Sequence, residues 1–334
     1  MRDGLRCDWP GYRAASRTRL VTWAVPLIAA ALLSACGTAS SPGQAAAPTA
    51  QAVPPAAPAW PVLPTHVSAA RMARLPAATT FGRLPSAPRD PDPFGSETGT
   101  VLHPTVTRVV YARPGGPPVA ALPATELESP TWVPVVQSQP EWDRVLLPTR
   151  PNRSTGWLYL GGKGLQTAYS AYRIRVNLAA FRLTVLDGGR RLGTWTVAVG
   201  ARATPTPTGR TFLLASLAPE HPTYSPLILP LGLHSNTLNT FGGGPGTVGL
   251  HGWPDPAVFG HAVSHGCVRV PAAALRVLGR VPLGSPVVIT SHLTGSAAGG
   301  EFKAVRVRAE PHGLQPAGRG PRIARSAAGL AGRT

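Results

Sequence analysis

The chain has 334 residues, including 39 prolines and 37 glycines, and a formal net charge of +18. All but two of its 32 basic residues are arginine, the exceptions being Lys163 and Lys303. Such a charge suits anionic partners, but a compositional bias toward Arg, Ala, Gly and Pro is the plainer account of it. No segment interleaves basic clusters with aromatics in the manner of a nucleic-acid motif, so nucleic acid is set aside as a partner. The three cysteines, Cys7, Cys36 and Cys267, build no disulfide framework.

In chain order, Arg13, Arg17 and Arg19 precede an apolar run from Leu20 to Leu33. A basic segment followed by an apolar run of this length fits an export signal and is short for a membrane span. The ending Leu33-Ser34-Ala35-Cys36 resembles the lipobox of bacterial lipoproteins. That resemblance implies a signal peptide over residues 1–35, cleavage before Cys36 and lipid attachment at Cys36. The protein is then anchored in the cell membrane and faces the wall on the periplasmic or extracellular side; an ordinary secreted protein or an uncleaved anchor helix is the alternative. With Cys7 removed and Cys36 lipidated, Cys267 remains as a lone thiol in an oxidising compartment. Residues 36–99 are Ala/Pro/Ser-rich and read as a disordered tether, able to span more than about 100 Å when extended. Residues 293–334, rich in Gly, Ala and Arg, read as a disordered basic tail.

Two regions carry folding patterns. Over residues 100–162 short β-type runs recur, among them Thr107–Tyr111, Val119–Leu122, Thr131–Val136 and Arg144–Leu147. Turn residues such as Arg113-Pro114-Gly115-Gly116 separate them, which predicts a small β-barrel. Residues 163–292 alternate apolar and polar side chains at Ile174, Val176 and Leu178 and again at Phe181, Leu183 and Val185. Asp187-Gly188 marks a hairpin, Trp195, Val197 and Val199 the next strand, and Val248–Leu250 and Val287–Thr290 further strands. Thr204-Pro205-Thr206-Pro207-Thr208-Gly209 is a rigid turn. One short helix is predicted over Pro271–Leu278, closed by Gly279. The fold class is therefore mostly β with one or two short helices.

Chemistry concentrates at two places. Val248-Gly249-Leu250-His251-Gly252 sets a histidine at a strand end, and twelve residues lie between it and Ser264-His265-Gly266-Cys267-Val268-Arg269. A thiol becomes a good nucleophile as thiolate, and a neighbouring imidazole can take its proton. Gly252 and Gly266 leave the backbone uncovered for close approach of a substrate carbonyl. Backbone N–H groups at Gly266 and Cys267 offer donors for a developing oxyanion.

An upstream histidine followed by Ser-His-Gly-Cys, with Thr-Pro-Thr-Gly at 206–209 and Gly-Leu-His-Gly at 249–252, resembles the YkuD-type L,D-transpeptidase catalytic domain. The resemblance spans Ile174 to Ile289. It implies a β-sandwich enzyme that acts on peptidoglycan stem peptides without a cofactor or metal. Cys267 would attack the carbonyl between residues three and four of a tetrapeptide stem, expel D-alanine and pass the acyl group to an amine, giving a 3→3 cross-link. It also assigns roles: Cys267 as nucleophile, His251 as base oriented by the Gly252 carbonyl, His265 lining the site and Ser264 supporting the loop. Arg269 would pair with a substrate carboxylate, or else form a surface ion pair. Two departures bear on the acceptor. The spacing from His251 to Ser264 is shorter than in the branch best known for 3→3 cross-linking, and Arg269 stands where that branch has Asn. Relatives that act as L,D-carboxypeptidases, attach a protein to the wall or exchange the terminal D-residue are the alternatives. Residues 100–162, with Trp132, Trp142 and Gly156-Trp157, are similar to bacterial SH3-like domains, which implies a wall-associated module or a spacer.

The long segment from Pro219 to Gly246 is expected to cover the Cys267 groove, with Tyr224 as one wall. Three rival readings remain. A zinc site would draw on His251, His261, His265 and Cys267, but His265-Gly266-Cys267 is a poor chelating step. His261, outside the family pattern, is expected to be exposed. A papain-like or NlpC-type peptidase would carry Cys before His, the reverse of the order here. A non-catalytic wall-binding lipoprotein is the third. Nothing in the sequence demands an oligomer; a tethered monomer suffices.

Overall fold

Alternation at a period of two decides most of this chain, because it gives each strand one apolar face to bury. The computed structural model describes residues 61–291 and the backbone of the two-residue strand Arg13–Ala14, which pairs with Ala168 and Tyr169. The apolar run read as an export signal, Cys36 and the tail expected over 293–334 lie outside the described residues. Within them the chain is mostly β, as expected, with two short α-helices at Ala69–Met72 and Ala272–Leu278. The second helix starts after Pro271 and ends at Gly279, as the sequence predicts. Among the described residues no helix is long and apolar enough to cross a membrane.

The first sheet places eight strands in the spatial order Arg13–Ala14, Leu165–Tyr169, Thr100–Pro104, Val133–Gln139, Trp142–Leu146, Thr155–Tyr159, Arg108–Tyr111 and Pro118–Leu122. Its buried face holds Leu102, Val110, Leu122, Val133, Val145 and Leu158. Trp142, fully buried, packs edge-on against Tyr111 with ring centroids 5.3 Å apart. The Trp142 indole N–H donates to the Val62 carbonyl at 2.7 Å.

That last contact corrects an expectation. Residues 61–99, read as tether, are part of the folded body. Ala78, Leu84 and Ala87 are buried, and the backbone N–H groups of Leu84 and Asp90 donate to the carbonyls of Arg150 and Arg153. A Pro/Ala-rich segment cannot form a core of its own. Laid on an existing sheet, however, its small side chains fill gaps and its amides find partners.

The second half builds a five-stranded sheet in the order Arg190–Thr196, Arg182–Asp187, Tyr172–Asn177, Pro286–Thr290 and Gly209–Phe212. The expected hairpin turns at Gly188-Gly189, both at positive φ. Against it pack the helix Ala272–Leu278 and a three-stranded sheet of Ile228–His234, Thr247–Gly252 and Val268–Val270. Ile174, Val176, Leu183 and Val185 meet Leu229, Leu231, Val248, Leu250, Val268 and Val270 in one core. The two halves also share packing. Phe212 and Leu214, from the strand Gly209–Phe212 and just beyond it, are buried with Leu102, Val110 and Leu158 of the first sheet. At the same seam Arg210 grips Asp90 through two 2.7 Å contacts, with side-chain exposures of 4% and 0%.

Candidate active site

The core-facing residues of the strands Thr247–Gly252 and Val268–Val270 dictate where the reactive ones go. Val248, Leu250, Val268 and Val270 are buried at 2% exposure or less. The residues between and beside them, Gly249, His251, Cys267 and Arg269, therefore emerge on the opposite face. The two strands run parallel, with Leu250 beside Val268 and His251 beside Arg269. Cys267 consequently sits next to Gly249, whose N–H donates to its sulfur at 3.4 Å. His251 is the diagonal neighbour of Cys267 on that face. Diagonal positions lie about 7–8 Å apart, within the combined reach of an imidazole and a thiol.

The loop that presents Cys267 is held from behind. Gly266 has φ +120°, a conformation that side chains with a Cβ rarely adopt. Its carbonyl accepts the Thr206 hydroxyl at 2.8 Å, and Thr206 Oγ1 in turn accepts the Gly200 N–H at 2.9 Å. The Thr204 hydroxyl donates to the Ser264 carbonyl at 2.9 Å. Ser264, 2% exposed, accepts the Gly266 N–H at 3.1 Å and donates to the Cys267 carbonyl at 2.6 Å. The Gly266 N–H is thus already taken, which corrects the expectation that both Gly266 and Cys267 supply oxyanion donors. Of that pair the Cys267 N–H remains.

His251 is 7% exposed. Its Nδ1 lies 2.8 Å from the Gly252 carbonyl, a group that can only accept, so Nδ1 carries the proton. Nε2 is left with its lone pair. Burial lowers the His251 pKa, the nearby Arg269 charge lowers it further, and the Gly252 carbonyl opposes both. Burial pushes the Cys267 thiol up, against the Gly249 N–H and Arg269, which pull it down. Both shifts favour the neutral imidazole and the neutral thiol over the charged pair. The Gly252 N–H donates to Ser225 at 2.8 Å, and Ser225 donates to the Leu227 carbonyl at 2.6 Å, which fixes the chain beyond the histidine.

Arg269 stacks over Trp253, its guanidinium carbon 3.6 Å from the ring centroid. Its Nε is buried without a hydrogen-bond partner, and among the described residues no carboxylate is within ion-pair distance. Tyr224 stands edge-on to His251 at 5.0 Å and 5.7 Å from Trp253. Behind these two aromatics opens a cavity of about 470 Å³, lined also by Leu227, Leu275 and Arg276. Phe241 lies 5.0 Å from the exposed His265 ring. His261 is exposed. Among the described residues no three His, Cys, Asp or Glu side chains are grouped to hold a metal ion.

The segment 219–246 is not one lid, because its middle, Ile228–His234, is a strand of the three-stranded sheet. The alternation of Leu229, Leu231 and Leu233 into the core carries that strand. Two separate loops result, one bearing Tyr224 and the other Phe241.

Residues 171–289 match the family model YkuD, the L,D-transpeptidase catalytic domain. No curated protein sequence matches the chain. Solved structures similar to it include the catalytic domain of an L,D-transpeptidase from E. faecium, 21% identical, covering 35% of this chain and 95% of that one, at a TM-score of 0.28. An L,D-transpeptidase from Mycobacterium smegmatis is 16% identical, with 48% and 99% covered and a TM-score of 0.31. L,D-transpeptidase 1 of Mycobacterium tuberculosis is 21% identical, with 48% and 76% covered and a TM-score of 0.29.

The YkuD match contains every residue named in the groove, from Thr204 to Arg269. It leaves out residues 61–170. The sequence singles out Cys267, His251, Gly252, Ser264, His265, Gly266, Arg269 and Tyr224. The structure sets Cys267, His251 and Arg269 on one face of the two parallel strands, Ser264 and Gly266 in the loop behind the nucleophile, Tyr224 against His251 and His265 against Phe241. It adds Thr204, Thr206, Ser225, Phe241 and Trp253. The Thr-Pro turn is visible in the sequence as a rigid element, but its hydroxyls find their partners only once the two loops meet. Trp253, directly after Gly252, could have been picked out as an aromatic beside the histidine.

Proposed function

We propose that this chain is a peptidoglycan L,D-transpeptidase with Cys267 as nucleophile and His251 as general base. The observation that carries the reading is the outward face shared by Cys267 and His251, with Nδ1 tied to Gly252 and Nε2 left to receive a proton. On this reading Nε2 takes the thiol proton as sulfur bonds to the carbonyl carbon between stem residues three and four. The oxygen gains the negative charge, and the Cys267 N–H is the donor offered to it. The C–N bond then breaks, the imidazolium returns its proton to the leaving nitrogen, and D-alanine departs. The thioester is attacked by an amine that gives its proton to His251, and the thiolate leaves. Arg269, charged and facing no carboxylate among the described residues, is the residue for a stem carboxylate. Tyr224 forms the wall beside the base.

The substrate places the protein outside the cytoplasm, in accord with the export signal and with lipid on Cys36 as the membrane anchor. An amine acceptor on a second stem gives the 3→3 cross-link. Water as acceptor gives an L,D-carboxypeptidase, and a protein amine gives a wall ligase. Incubation with a carbapenem followed by intact-mass measurement tests the core of the reading, since a thiolate opens the β-lactam and retains the whole molecule as a thioester. Wild type is expected to gain one carbapenem mass and Cys267→Ala none. A wild-type protein that gains nothing overturns the enzyme and leaves a wall-binding lipoprotein. Purified tetrapeptide stems then separate the acceptors: a new dimer means cross-linking, a tripeptide alone means hydrolysis.

A further inference from the structure

The loop bearing Phe241 is anchored by side chains that lie outside the YkuD match. Its neck is the pairing of His234 with Thr247, followed by the Ser235 N–H donating to the Gly246 carbonyl at 2.9 Å. Arg150 reaches into the loop and donates to three carbonyls, those of Ser235 at 2.9 Å, Leu238 at 2.9 Å and Pro245 at 3.0 Å. Asn152 grips the residue before it: Oδ1 accepts the His234 N–H at 2.8 Å, and Nδ2 donates to the His234 carbonyl at 2.7 Å and to Asn236 at 2.9 Å. The His234 ring is buried and reaches the Thr80 carbonyl at 2.7 Å. Gly246 sits at φ +72°, where a Cβ would come within 2.4 Å of the Leu238 carbonyl and 3.0 Å of Arg150 Nη2. The close approach of the guanidinium therefore depends on glycine there.

At the far end, Phe241 and Gly244 exchange backbone hydrogen bonds of 3.1 and 2.9 Å and close a tight turn. This turn holds Phe241, half exposed, against His265, two residues before Cys267. A loop tip with an exposed aromatic and no core beneath it has little to fix it locally. Its position is set at the neck. A guanidinium presents five N–H groups in a rigid plane and can hold three carbonyls at once, which a flexible ammonium does not reproduce.

We propose that Arg150 and Asn152 are positioning residues for the Cys267 groove: they hold the loop 235–246 so that Phe241 stays on His265 and narrows the approach to the thiol. The residues N-terminal to the YkuD match thereby control access to the nucleophile. The geometric half of this inference stands apart from the proposed reaction; its effect on the donor stem rests on that reading.

The test uses the full chain and the variants Arg150→Ala, Arg150→Lys, Phe241→Ala and the Arg150→Ala/Phe241→Ala pair. Alkylation of Cys267 by iodoacetamide needs no turnover and reads access alone. It is expected to quicken several-fold in Arg150→Ala and in Phe241→Ala, with no further gain in the pair, because both changes remove one restraint. Arg150→Lys is expected to recover only part of the wild-type protection. Carbapenem acylation reads the same groove with a larger ligand. The concentration for half-maximal rate is expected to rise about tenfold in both single variants with a smaller change in limiting rate, as for a misplaced binding wall. Multiplicative effects in the pair, or an Arg150→Ala protein that melts earlier but alkylates as wild type does, overturn the proposal. Should Arg150→Ala fail to fold, Gly246→Ala keeps the arginine while displacing it and carries the same alkylation test. A wild-type protein that alkylates but takes no carbapenem sinks the reaction and leaves the clamp to be judged by alkylation.

Discussion

The floor beneath Cys267 is a parallel pair of strands locked by backbone pairing and two threonine hydroxyls, whereas the Phe241 side of the groove hangs on side chains from residues 80 to 152. The floor is local: its strands, its Thr-Pro turn and its nucleophile loop all fall within residues 171–289. The Phe241 side is not. Groups that must keep sub-ångström geometry are carried on regular elements, and the part that governs access is set by long-range side-chain contacts. The difference also says why residues 61–170 are more than a spacer. They share buried packing with Phe212 and Leu214, and through Arg150 they reach the loop that bears Phe241.

The sharpest way to break this comparison is at the seam. Asp90 and Arg210 form a buried bidentate pair joining residues 61–99 to the strand Gly209–Phe212. Asp90→Ala strands a buried guanidinium and is expected to cost about 3–5 kcal/mol of stability, read by urea denaturation. Removing both charges in Asp90→Ala/Arg210→Met is expected to recover most of that loss, because the desolvation of Arg210 disappears with it. Unfolding should remain a single transition in the parent. Two separate transitions there, one for each half, would show that the halves fold independently and that the seam matters little.

A milder break attacks the floor. Thr206 is 4% exposed, and its hydroxyl serves the Gly200 N–H and the Gly266 carbonyl together. Thr206→Val keeps the shape and leaves both backbone groups unpartnered, at a cost of about 1–3 kcal/mol. Because Gly266 directly precedes Cys267, carbapenem acylation is expected to fall in this variant even where the protein is fully folded. Unchanged acylation in a destabilised Thr206→Val would mean that the strand pairing alone places the sulfur.

How much of this could be read beforehand follows the same division. His251 and Cys267 announce themselves because a strand pattern and a Gly-rich loop bracket them, and alternation alone puts both on the outward face. The hairpin at Asp187-Gly188 and the helix after Pro271 were equally legible, since turn and cap chemistry is local. Residues 61–99 were not. Their composition describes a chain that cannot fold alone, and nothing local reveals the sheet that Ala78 and Leu84 will cover. The strand Ile228–His234 was hidden for another reason: Pro230 and Gly232 interrupt it, and both residues argue against a strand. Phe241 lies far along the chain from Arg150 and Asn152, and only tertiary structure joins its loop to them. The occupied Gly266 N–H is not legible in the sequence, because the Ser264 hydroxyl accepts its hydrogen bond only in the folded loop.

The smallest expected effect is electrostatic and concerns how the floor is tuned. Arg269 faces Cys267 and His251 from the neighbouring position on the same strands, and its charge lowers the pKa of both. Burial opposes it at the thiol and reinforces it at the imidazole. Replacing the charge in Arg269→Gln should therefore raise both pKa values together. A higher His251 pKa means the base is lost to protonation at a higher pH as the medium is acidified, so the acid limb of the acylation profile moves up. A higher Cys267 pKa means that iodoacetamide alkylation needs more alkaline solution, so that limb moves up as well. Both limbs shift in one direction, which separates loss of charge from disordering of the loop, since a disordered site loses amplitude without such a displacement. Arg269→Lys, which keeps the charge but not the planar stack on Trp253, is expected to hold the profile in place and to weaken carboxylate-bearing ligands instead. A profile that stays put in Arg269→Gln would mean that the guanidinium does not act on the reacting pair, and that its place beside Trp253 serves packing alone.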